Sequence, residues 1–386
     1  MDRRIFLRTV GGGVIAAATA TTVAGCSSAL PPEAIAAWQG PGNEPDVRRW
    51  ILAHAILAPH SHNLQSWLVD LSVPDEITLF IDRSRLLPET DPFSRQMMMS
   101  QGTFLELLDL AAKQKGLRAE IALFPQGVFA PTTVDARPTA RIRLVPDAAV
   151  KPDALWTHIF LRRTNREAYE ARDPAADALQ AITASTAGQA VRTGFVGSSQ
   201  PELLQQHRRI AMEAWRIELV TPRTVMESIK VLRVGPEEIA QHRDGISLND
   251  PMVRALAAVG LFDRSKAPTP DDTSTTTQIQ DFNANMAATP AFFWMVTEGN
   301  DRVTQINAGR AYVRAQLAAT AVGLSMQPLS QALQEYPEQA GPYAEIHQLL
   351  GAPAPRFTVQ MWTRLGYAPV IQPSPRRGLE AHILKA

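Results

Sequence analysis

The chain has 386 residues, of which 45% are hydrophobic, and its 38 basic residues balance its 38 acidic ones. This amount of apolar material can build a sizeable core, and the length predicts two or three domains. Zero net charge argues against nucleic-acid binding, because no excess of basic side chains exists to neutralise phosphates. A single cysteine, Cys26, excludes a disulfide framework and any metal site built from several cysteines.

The first 26 residues have the features of an export signal. Arg3 and Arg4 precede an uncharged run that ends in a small residue followed by Cys26. The arginine pair is similar to a twin-arginine signal, and the ending resembles a lipoprotein processing site. We expect twin-arginine export to the cell envelope or periplasm, with a lipid on Cys26 anchoring the protein to a membrane. The alternative is an apolar N-terminal helix.

The export signal and the segment that follows it lead to two expectations. Proteins exported by the twin-arginine route cross the membrane folded, often with a cofactor loaded, so we expect a cofactor site in the remaining chain. Residues 27–44 are rich in Ser, Pro, Gly and Asn and are predicted to be a flexible tether.

Residues 45–150 have the apolar periodicity of an α+β unit. The pattern predicts, in chain order, a helix at 46–58, strands at 67–73 and 76–82, a helix at 96–115, and strands at 117–124 and 140–145.

A second α+β unit is predicted over residues 151–386. Its predicted helices are 153–161, 174–185, 200–232, 249–259 and 303–322, and its predicted strands are 292–297 and 357–362. The Pro-, Asp- and Thr-rich stretch 268–277 is predicted to be a mobile surface loop.

The two units share a short motif. Residues 111–117 and 318–324 both read A-A-x-x-x-G-L, and each motif ends a long predicted helix. Together with the matching order of elements, this indicates two related halves, 45–150 and 151–386.

Three segments carry more polar groups than packing requires. The first is the loop at 59–67, where Ser61, Asn63 and Gln65 offer groups that suit a planar, hydrogen-bonding ligand. The histidines of this loop have no acidic or cysteine partner at ligand spacing, so no metal site is predicted.

The second and third segments are rich in arginine. One contains Arg162, Thr164 and Arg166, and the other contains Arg376 and Arg377. Guanidinium groups bind phosphate through paired hydrogen bonds, so the two segments could close on one phosphate. The alternatives are a solvated charged surface for the former and a basic tail for the latter.

Taken together, these segments resemble the nitroreductase family of flavin enzymes, and in particular its internally duplicated, Acg-like branch. Residues 59–67 resemble the family's Pro-Ser-Ser-x-Asn-x-Gln-Pro-Trp loop, and 162–166 its Arg-x-Ser-x-Arg phosphate clamp. Residues 323–331 resemble the segment facing the flavin ring, and 374–377 the C-terminal basic pair. Residues 82–102 resemble the duplicated branch.

This resemblance implies an α+β, nitroreductase-like fold in which two related halves form a single-chain, monomeric pseudo-dimer with FMN between them. It implies that Ser61, Asn63 and Gln65 contact the isoalloxazine, which Gln327, Pro328, Leu329 and Ser330 face. It implies that the phosphate is held by Arg162, Thr164, Arg166, Arg376 and Arg377. Because the first half lacks a second clamp, one FMN per chain is expected.

The resemblance also implies an activity. Reduced nicotinamide, or another reduced donor, passes electrons through flavin N5 to a small acceptor in a ping-pong reaction. No acid or base residue is obligatory, because the flavin carries the chemistry. Nicotinamides are scarce outside the cytoplasm, so an exported enzyme could take electrons from a membrane or protein donor.

Two other functions remain open. One is an FMN-sequestering or storage protein with a covered site and little turnover. The resemblance allows this, because the predicted insert 200–263 and the loop 268–277 could form a lid. The other is a cofactor-free envelope protein that binds an anion at residues 162–166.

Overall fold

A computed structural model describes residues 28–260 and 262–385. The predicted export signal and the lipidation site at Cys26 lie outside these residues. The helices are α1 (Pro32–Ile35), α2 (Val47–Ala55), α3 (Arg95–Gln114), α4 (Ala176–Ser185), α5 (Pro201–Val220), α6 (Pro222–Lys230), α7 (Gly235–His242), α8 (Pro251–Ala258), α9 (Thr273–Ala287), α10 (Arg302–Ala321) and α11 (Ala340–Leu349).

The strands fall into two larger sheets and one small parallel pair. They are β1 (Trp67–Asp70), β2 (Glu76–Ile81), β3 (Leu117–Leu123), β4 (Ala140–Pro146), β5 (Arg192–Val196), β6 (Leu232–Val234), β7 (Ile246–Leu248), β8 (Ala291–Glu298), β9 (Ser325–Pro328) and β10 (Phe357–Gly366). This mixture of helices and antiparallel sheets is the α+β class that the sequence predicts.

The two larger sheets have the same topology. Their strand orders are β1-β2-β4-β3 and β5-β8-β10-β9, so the second and fourth strand of each set lie at the centre. All neighbouring strands in both sheets are antiparallel. In each set a long helix joins the second strand to the third, namely α3 in the first and α10 in the second.

Helices α3 and α10 pack against each other through a pair of glycines. A Cβ atom on Gly102 would lie 2.0 Å from the carbonyl oxygen of Ile306, and one on Gly309 would lie 2.0 Å from that of Met99. The pairs are related by one offset, since 309 − 102 and 306 − 99 both equal 207. The two backbones therefore approach symmetrically, at a distance that only glycine permits.

An arginine at the start of each long helix reaches across this contact. Arg95 donates to the carbonyl oxygens of Leu333 at 2.9 Å and Gln360 at 3.0 Å. Arg302, again 207 positions later, donates to the carbonyl oxygen of Phe93 at 2.8 Å. Each helix thus satisfies backbone groups that belong to the other sheet's half of the chain.

The core of the first sheet is completed by the second half of the chain. Trp67, Phe104 and Ile142 are buried there together with Val313 and Leu317 of α10. Alternating residues of β1 and β2 face this core, as expected for strands with one buried side.

The structure divides the predicted helix 200–232 into α5 and α6. The break lies at Thr221–Pro222, because proline lacks an N–H group and clashes with the preceding turn. The predicted loop 268–277 is also corrected in part. Helix α9 begins at Thr273, within that stretch. Just before the helix, the Asp272 carboxylate accepts a hydrogen bond from the Thr269 amide at 2.6 Å.

Other elements lack a clear periodic signal. The prediction omits β5, β6, β7, β9, α1, α7 and α11, none of which is longer than ten residues, and also the fifteen-residue helix α9. The predicted helix 153–161 is only a 3-10 turn at Ala154–His158. Within the described ranges, no helix is both long enough and apolar enough to cross a membrane.

Residues 28–44 differ from the predicted flexible tether and form what we call the N-terminal strap. Trp38 is buried and donates from its indole Nε1 to the carbonyl oxygen of Ser374 at 2.8 Å. The amide of Arg376 donates to the carbonyl oxygen of Ala34 at 2.8 Å. The strap is ordered because burial of an indole offsets the entropy lost on fixing the chain.

Candidate functional site

The polar loop after α2 has an unusual backbone. His62, Asn63 and Gln65 have φ angles of 48°, 54° and 54°, in the left-handed region. Side chains other than glycine seldom adopt these angles, and such residues concentrate at functional sites. The loop therefore holds its polar side chains in fixed directions at some cost in backbone energy.

The two histidines of the loop point to different partners. His60 bonds through Nδ1 to the Ser61 carbonyl oxygen at 2.7 Å, and its Nε2 accepts from the Ser66 amide at 3.1 Å. His62 Nε2 lies 2.9 Å from the hydroxyl of Ser228 on α6. Burial lowers the pKa of His60 to about 3 and that of His62 to about 4, so both rings are neutral.

Ser61 remains the most available polar residue of the loop. Its hydroxyl is half-buried and lies 3.3 Å from Gln96 Oε1, and its amide donates to Ser100 Oγ at 3.5 Å. No cluster of three His, Cys, Asp or Glu side chains suited to a metal ion occurs in the described part of the chain.

Asn63 and Gln65 bind the C-terminal segment of the chain. Asn63 Nδ2 donates to the Pro375 carbonyl oxygen at 3.0 Å, and Asn63 Oδ1 accepts from Arg376. Gln65 is fully buried, accepts from the Arg377 amide at 2.9 Å and donates to the Arg243 carbonyl oxygen at 2.9 Å. Both polar atoms of the Gln65 side chain thus have partners within the chain, and its contact with a flavin ring stays a prediction.

Three guanidinium groups surround the indole ring of Trp38, and we call them the arginine cluster. The Cζ atoms of Arg163, Arg376 and Arg162 lie 4.6, 5.3 and 5.7 Å from the ring centroid. Within residues 28–260 and 262–385, none of the three forms an ion pair with a carboxylate. The strap thus brings together the two arginine segments that the sequence places more than half the chain apart.

Burial and mutual repulsion both destabilise the charge of this cluster. Desolvation, with repulsion from Arg162 and Arg163, lowers the pKa of Arg376 well below its ordinary value. Arg162 and Arg376 donate to the carbonyl oxygens of Leu57 at 2.9 Å and Ala58 at 3.2 Å, just beyond α2. These oxygens carry only partial negative charge, which offsets part of the cost.

Several donors of the cluster have no acceptor. The Nε atoms of Arg162, Arg163 and Arg376 are buried and have no hydrogen-bond partner among the residues that the structure describes. A buried cation without a counter-charge is costly, and an anionic ligand would supply both charge and acceptors. The donor set therefore fits a phosphate group.

Arg166 lies apart from the cluster and is differently placed. Its side chain is exposed and forms no hydrogen bond or ion pair with any described residue. Desolvation by the surrounding protein nevertheless lowers the pKa of Arg166. Tyr169 and Tyr312 lie near it, and the buried hydroxyl of Tyr312 has no partner in the described chain.

Helix α10 links Arg166 to the arginine cluster. Gln316 Oε1 accepts from Arg162 at 3.3 Å, and its Nε2 lies 3.4 Å from the Thr164 hydroxyl. Since Tyr312 is one helical turn from Gln316, the predicted clamp residues Arg162, Thr164 and Arg166 line one continuous surface above α10.

The predicted ring-facing segment has a mainly structural arrangement. Gln327 Oε1 accepts from Arg364 Nε at 2.6 Å, and Pro328 lies opposite Thr363 in the sheet. Leu329 is buried and packs in the core of the second half, and its contact with a ligand stays a prediction. Ser330 accepts the amide of Leu333 at 2.9 Å in a short turn and is half-buried.

Arg376 and Arg377 do not act as a pair. Arg377 is buried on the opposite side, where its Nη2 donates to the Gln65 carbonyl oxygen at 2.5 Å and lies 3.3 Å from His382 Nδ1. Consecutive side chains of an extended chain point in opposite directions, which explains the separation. The structure therefore places Arg376 in the arginine cluster and Arg377 beneath the polar loop.

Sequence reasoning missed five residues of this site, each of which left a weak signal. Tyr312 and Gln316 are polar residues four apart on a buried helix, and Arg364 is the one charged residue of strand β10. Trp38 is a lone aromatic residue in a segment of small and polar residues, and Arg163 lies inside the predicted clamp.

Residues 222–260, which lie within the predicted insert 200–263, cover the polar loop. From here on, we call residues 222–260 the insert. The amide of Gly245 donates to the Asn63 carbonyl oxygen at 3.2 Å. Two further contacts, described above, join His62 to the Ser228 hydroxyl and Gln65 to the Arg243 carbonyl oxygen. The buried carboxylate of Asp244 forms ion pairs with Arg85 of the first half and Arg233 of the insert. The insert is therefore fastened to the loop by hydrogen bonds and charge.

Comparison with known proteins gives sequence and structural relatives. Two proteins named NAD(P)H nitroreductases, from two strains of Mycobacterium tuberculosis, are each 28% identical to this chain over 345 residues. These alignments cover 86% of this chain and 89% of the relatives, so they extend over both halves. No family model matches the chain.

Similarity to solved structures is low. A nitroreductase structure from Anabaena variabilis has a TM-score of 0.40 and 12% identity, covering 81% of this chain and 82% of its own. An FMN-dependent nitroreductase from Mycobacterium smegmatis, solved with NADPH, has a TM-score of 0.37 and 16% identity, covering 59% of this chain and 96% of its own.

Proposed function

We propose that this protein is an FMN-dependent oxidoreductase of nitroreductase type. The observation that carries the proposal is the buried arginine cluster, which has unpartnered donors and lies beside a rigid polar loop. FMN combines a phosphate with a planar, hydrogen-bonding ring, and these two features match the cluster and the loop. The names of the sequence relatives support a nicotinamide-dependent activity.

The residues divide into two groups by the part of FMN that they would hold. Arg166, Thr164 and the arginine cluster would hold the phosphate, and Ser61 offers a hydroxyl for the ring. Bound FMN supplies the electron-transfer chemistry, while the protein binds it, orients it and provides positive charge. Asn63 and Gln65 position Arg376 and Arg377 through the bonds described above.

The repeated topology supports a single-chain pseudo-dimer. Each sheet with its long helix corresponds to one half, and the candidate site takes its polar loop from the first half and its clamp from the second. We therefore propose a monomer that binds one FMN per chain. The predicted boundaries at residues 45, 150 and 151 remain proposals.

The remaining parts of the proposal concern electron flow and location. A reduced nicotinamide or another reduced donor gives electrons to the enzyme, and a small acceptor then removes them in a ping-pong reaction. The protein is exported by the twin-arginine route and held on a membrane of the cell envelope by a lipid on Cys26. The N-terminal sequence supports this location.

The proposal is tested by the absorbance spectrum of the chain from Ser27 onward, produced in the cytoplasm with FMN supplied. We expect flavin absorbance with one FMN per chain, bleaching on addition of NADPH and recovery on addition of a nitroaromatic acceptor. A colourless protein that takes up no added FMN contradicts both the enzyme and the storage function, and leaves an anion-binding protein.

One observation favours FMN sequestration as a second candidate. The insert is fastened over the polar loop at Asn63, Gln65 and His62, so substrates have restricted access to that side of the site. A storage protein would retain FMN but would neither reduce nor reoxidise it rapidly with any donor and acceptor. Stopped-flow reduction of the FMN-bound protein separates the two functions.

A further inference from the structure

We propose that the outer face of the insert lies on the surface of a lipid bilayer. Three exposed apolar residues of the insert, together with Val370 of the C-terminal segment, make up what we call the apolar patch: Ile246, Met252, Val259 and Val370. The inference extends the proposed function, because it rests on a lipid anchor at Cys26. Three observations support it.

The first observation is the position of residues 28–30, which follow the proposed lipidation site Cys26 in the sequence. The Ser28 carbonyl oxygen accepts from Gln372 Nε2 at 3.2 Å, and the amide of Leu30 donates to Gln372 Oε1 at 3.0 Å. Asn249 Nδ2 donates to the Ala29 carbonyl oxygen at 2.8 Å. The strap therefore starts between Gln372 and Asn249, and its first residues are fixed there by side chains.

The second observation is the exposure of the apolar patch. Val370 is 100% exposed, Val259 69%, Met252 39% and Ile246 37%. Met252, Ala255 and Val259 recur at the spacing of one helical face, and that face of α8 points outward. A solvated helix places polar residues outward, so α8 has the pattern of a helix whose outer face is covered.

The third observation is the short distance between the patch and the proposed anchor. Met252 follows Asn249 by three residues, and Val370 precedes Gln372 by two. An extended residue spans at most about 3.6 Å, so the Cα atom of Met252 lies within about 11 Å of that of Asn249, and the Cα atom of Val370 within about 7 Å of that of Gln372. Cys26 is two residues before Ser28, so its lipid would enter the bilayer within about 7 Å of this point.

A bilayer accounts for the patch better than solvent does. One acyl chain gives only marginal membrane binding, and apolar side chains that enter the interface add to it. Other residues of the insert, Arg243 and Gly245, contact Gln65 and Asn63 of the polar loop. Membrane contact and coverage of the candidate site therefore belong to one segment of the chain.

The test attaches the chain to vesicles at its proposed anchor point without natural lipidation. A chain starting at Ser27, with an N-terminal histidine tag, contains no cysteine and can be bound to phosphatidylcholine–phosphatidylglycerol vesicles that contain nickel-chelating lipid. Met252→Cys places a polarity-sensitive fluorophore in the patch. Val128→Cys, at an exposed residue outside the patch, is the matched control.

Nitroxide-labelled lipids are expected to quench the label at position 252 several-fold more strongly than the label at position 128. Equal quenching at the two positions overturns the proposal. A second measurement uses the double variant Met252→Glu and Val259→Glu, which is expected to reduce vesicle binding of the untagged chain about tenfold. Unchanged binding also overturns it.

Other occupants of the patch give distinct results. Dimerisation in solution that the double variant abolishes would assign the patch to a second copy of the chain. Protection of position 252 in the full-length chain without vesicles would assign it to the N-terminal segment. Either result overturns the bilayer proposal. Mass measurement of Cys26 and flavin absorbance test the anchor and the proposed function separately.

Discussion

Arg166 differs from the other arginines of the site because it has no structural role. Arg162 and Arg376 satisfy carbonyl oxygens beyond α2, and Arg377 holds the polar loop from beneath. Arg166 forms no such bond within the described residues. Its charge is therefore available to a ligand, whereas removal of the others would also disturb the fold.

The first prediction concerns this free charge. Arg166→Ala should weaken FMN binding by about 1.5–3 kcal/mol, the value of a lost hydrogen bond to a charged group. The midpoint of thermal unfolding without FMN should not change. Arg356→Ala, at an exposed ion pair outside the site, is the control and should leave both quantities unchanged. Unchanged affinity in Arg166→Ala on FMN titration would refute the phosphate role.

The second prediction concerns the neutral state of His60. Burial lowers its pKa from 6.5 to about 3, so the unfolded chain takes up a proton that the folded chain excludes. Stability is therefore complete above pH 6.5 and falls as the pH decreases toward 3, by up to about 1.4 kcal/mol per pH unit. Protonation would also set an N–H group against the Ser66 amide, which donates to Nε2 in the neutral ring.

Denaturant unfolding at pH 7, 5 and 4 measures this effect. The variant His60→Gln should be less stable at pH 7, because it loses a ring with two satisfied nitrogens, but its stability should depend less on pH. A slope equal to that of the unmodified chain would show that His60 does not contribute to the acid sensitivity.

At the scale of elements, the contact between α3 and α10 depends on backbone proximity. Gly102→Ala should destabilise the protein by about 1–3 kcal/mol or more, because its Cβ would meet the Ile306 carbonyl oxygen and force the helices apart. Gly341→Ala, at an exposed position of helix α11 with open space around it, is the matched control. It should be neutral or stabilising by up to about 1 kcal/mol. Equal effects in denaturant unfolding would contradict the model of the contact.

The insert is the element whose attachment controls access to the polar loop. Asp244→Ala removes the buried carboxylate that forms ion pairs with both Arg85 of the first half and Arg233 of the insert. The insert should open more often, with hydrogen exchange of the Gly245 amide and FMN uptake each at least about tenfold faster, a change of about 1.4 kcal/mol. Glu238→Ala breaks a partly exposed ion pair between the insert and Arg264, away from the polar loop, and serves as the control.

Most of the long elements could be predicted from sequence, whereas the short ones and the fifteen-residue helix α9 could not. Helix α10 has nineteen of its twenty residues within the predicted range 303–322, because apolar periodicity and a terminal glycine define it. Strands β6 and β9 have three and four residues, too few for periodicity to appear. They form because neighbouring strands supply their hydrogen bonds, which is a tertiary effect.

At the scale of the whole molecule, the two sheets depend on each other. Val313 and Leu317 of α10 complete the core of the first sheet. Arg95 and Arg302 each donate hydrogen bonds to backbone carbonyl oxygens of the other half of the chain. The apolar and glycine faces of α3 would be exposed in an isolated first half. The chain therefore folds as one unit despite its repeated topology.

This interdependence can be tested by division of the chain. Residues 28–150 produced alone should show no cooperative thermal transition, because their core lacks α10. Coexpression with residues 151–386 should yield a soluble complex that unfolds cooperatively. A sharp unfolding transition for residues 28–150 alone would show that the first half is an independent domain.

The sequence by itself determined the α+β class, the repeated motif at the ends of two long helices, and the segments that carry the candidate site. These follow from local periodicity, turn residues and polar groups that packing does not require. Arg162 and Thr164 could be selected in this way because their chemistry is unusual for their position.

Only the tertiary structure decided which of these groups meet and which are free. It placed Trp38 of the strap among Arg162, Arg163 and Arg376. It gave Gln65 a hydrogen bond to the C-terminal segment and left Arg166 without a partner among the described residues. The physical reason is that burial, charge compensation and hydrogen-bond saturation depend on neighbours distant in sequence. Local patterns in the chain do not contain that information.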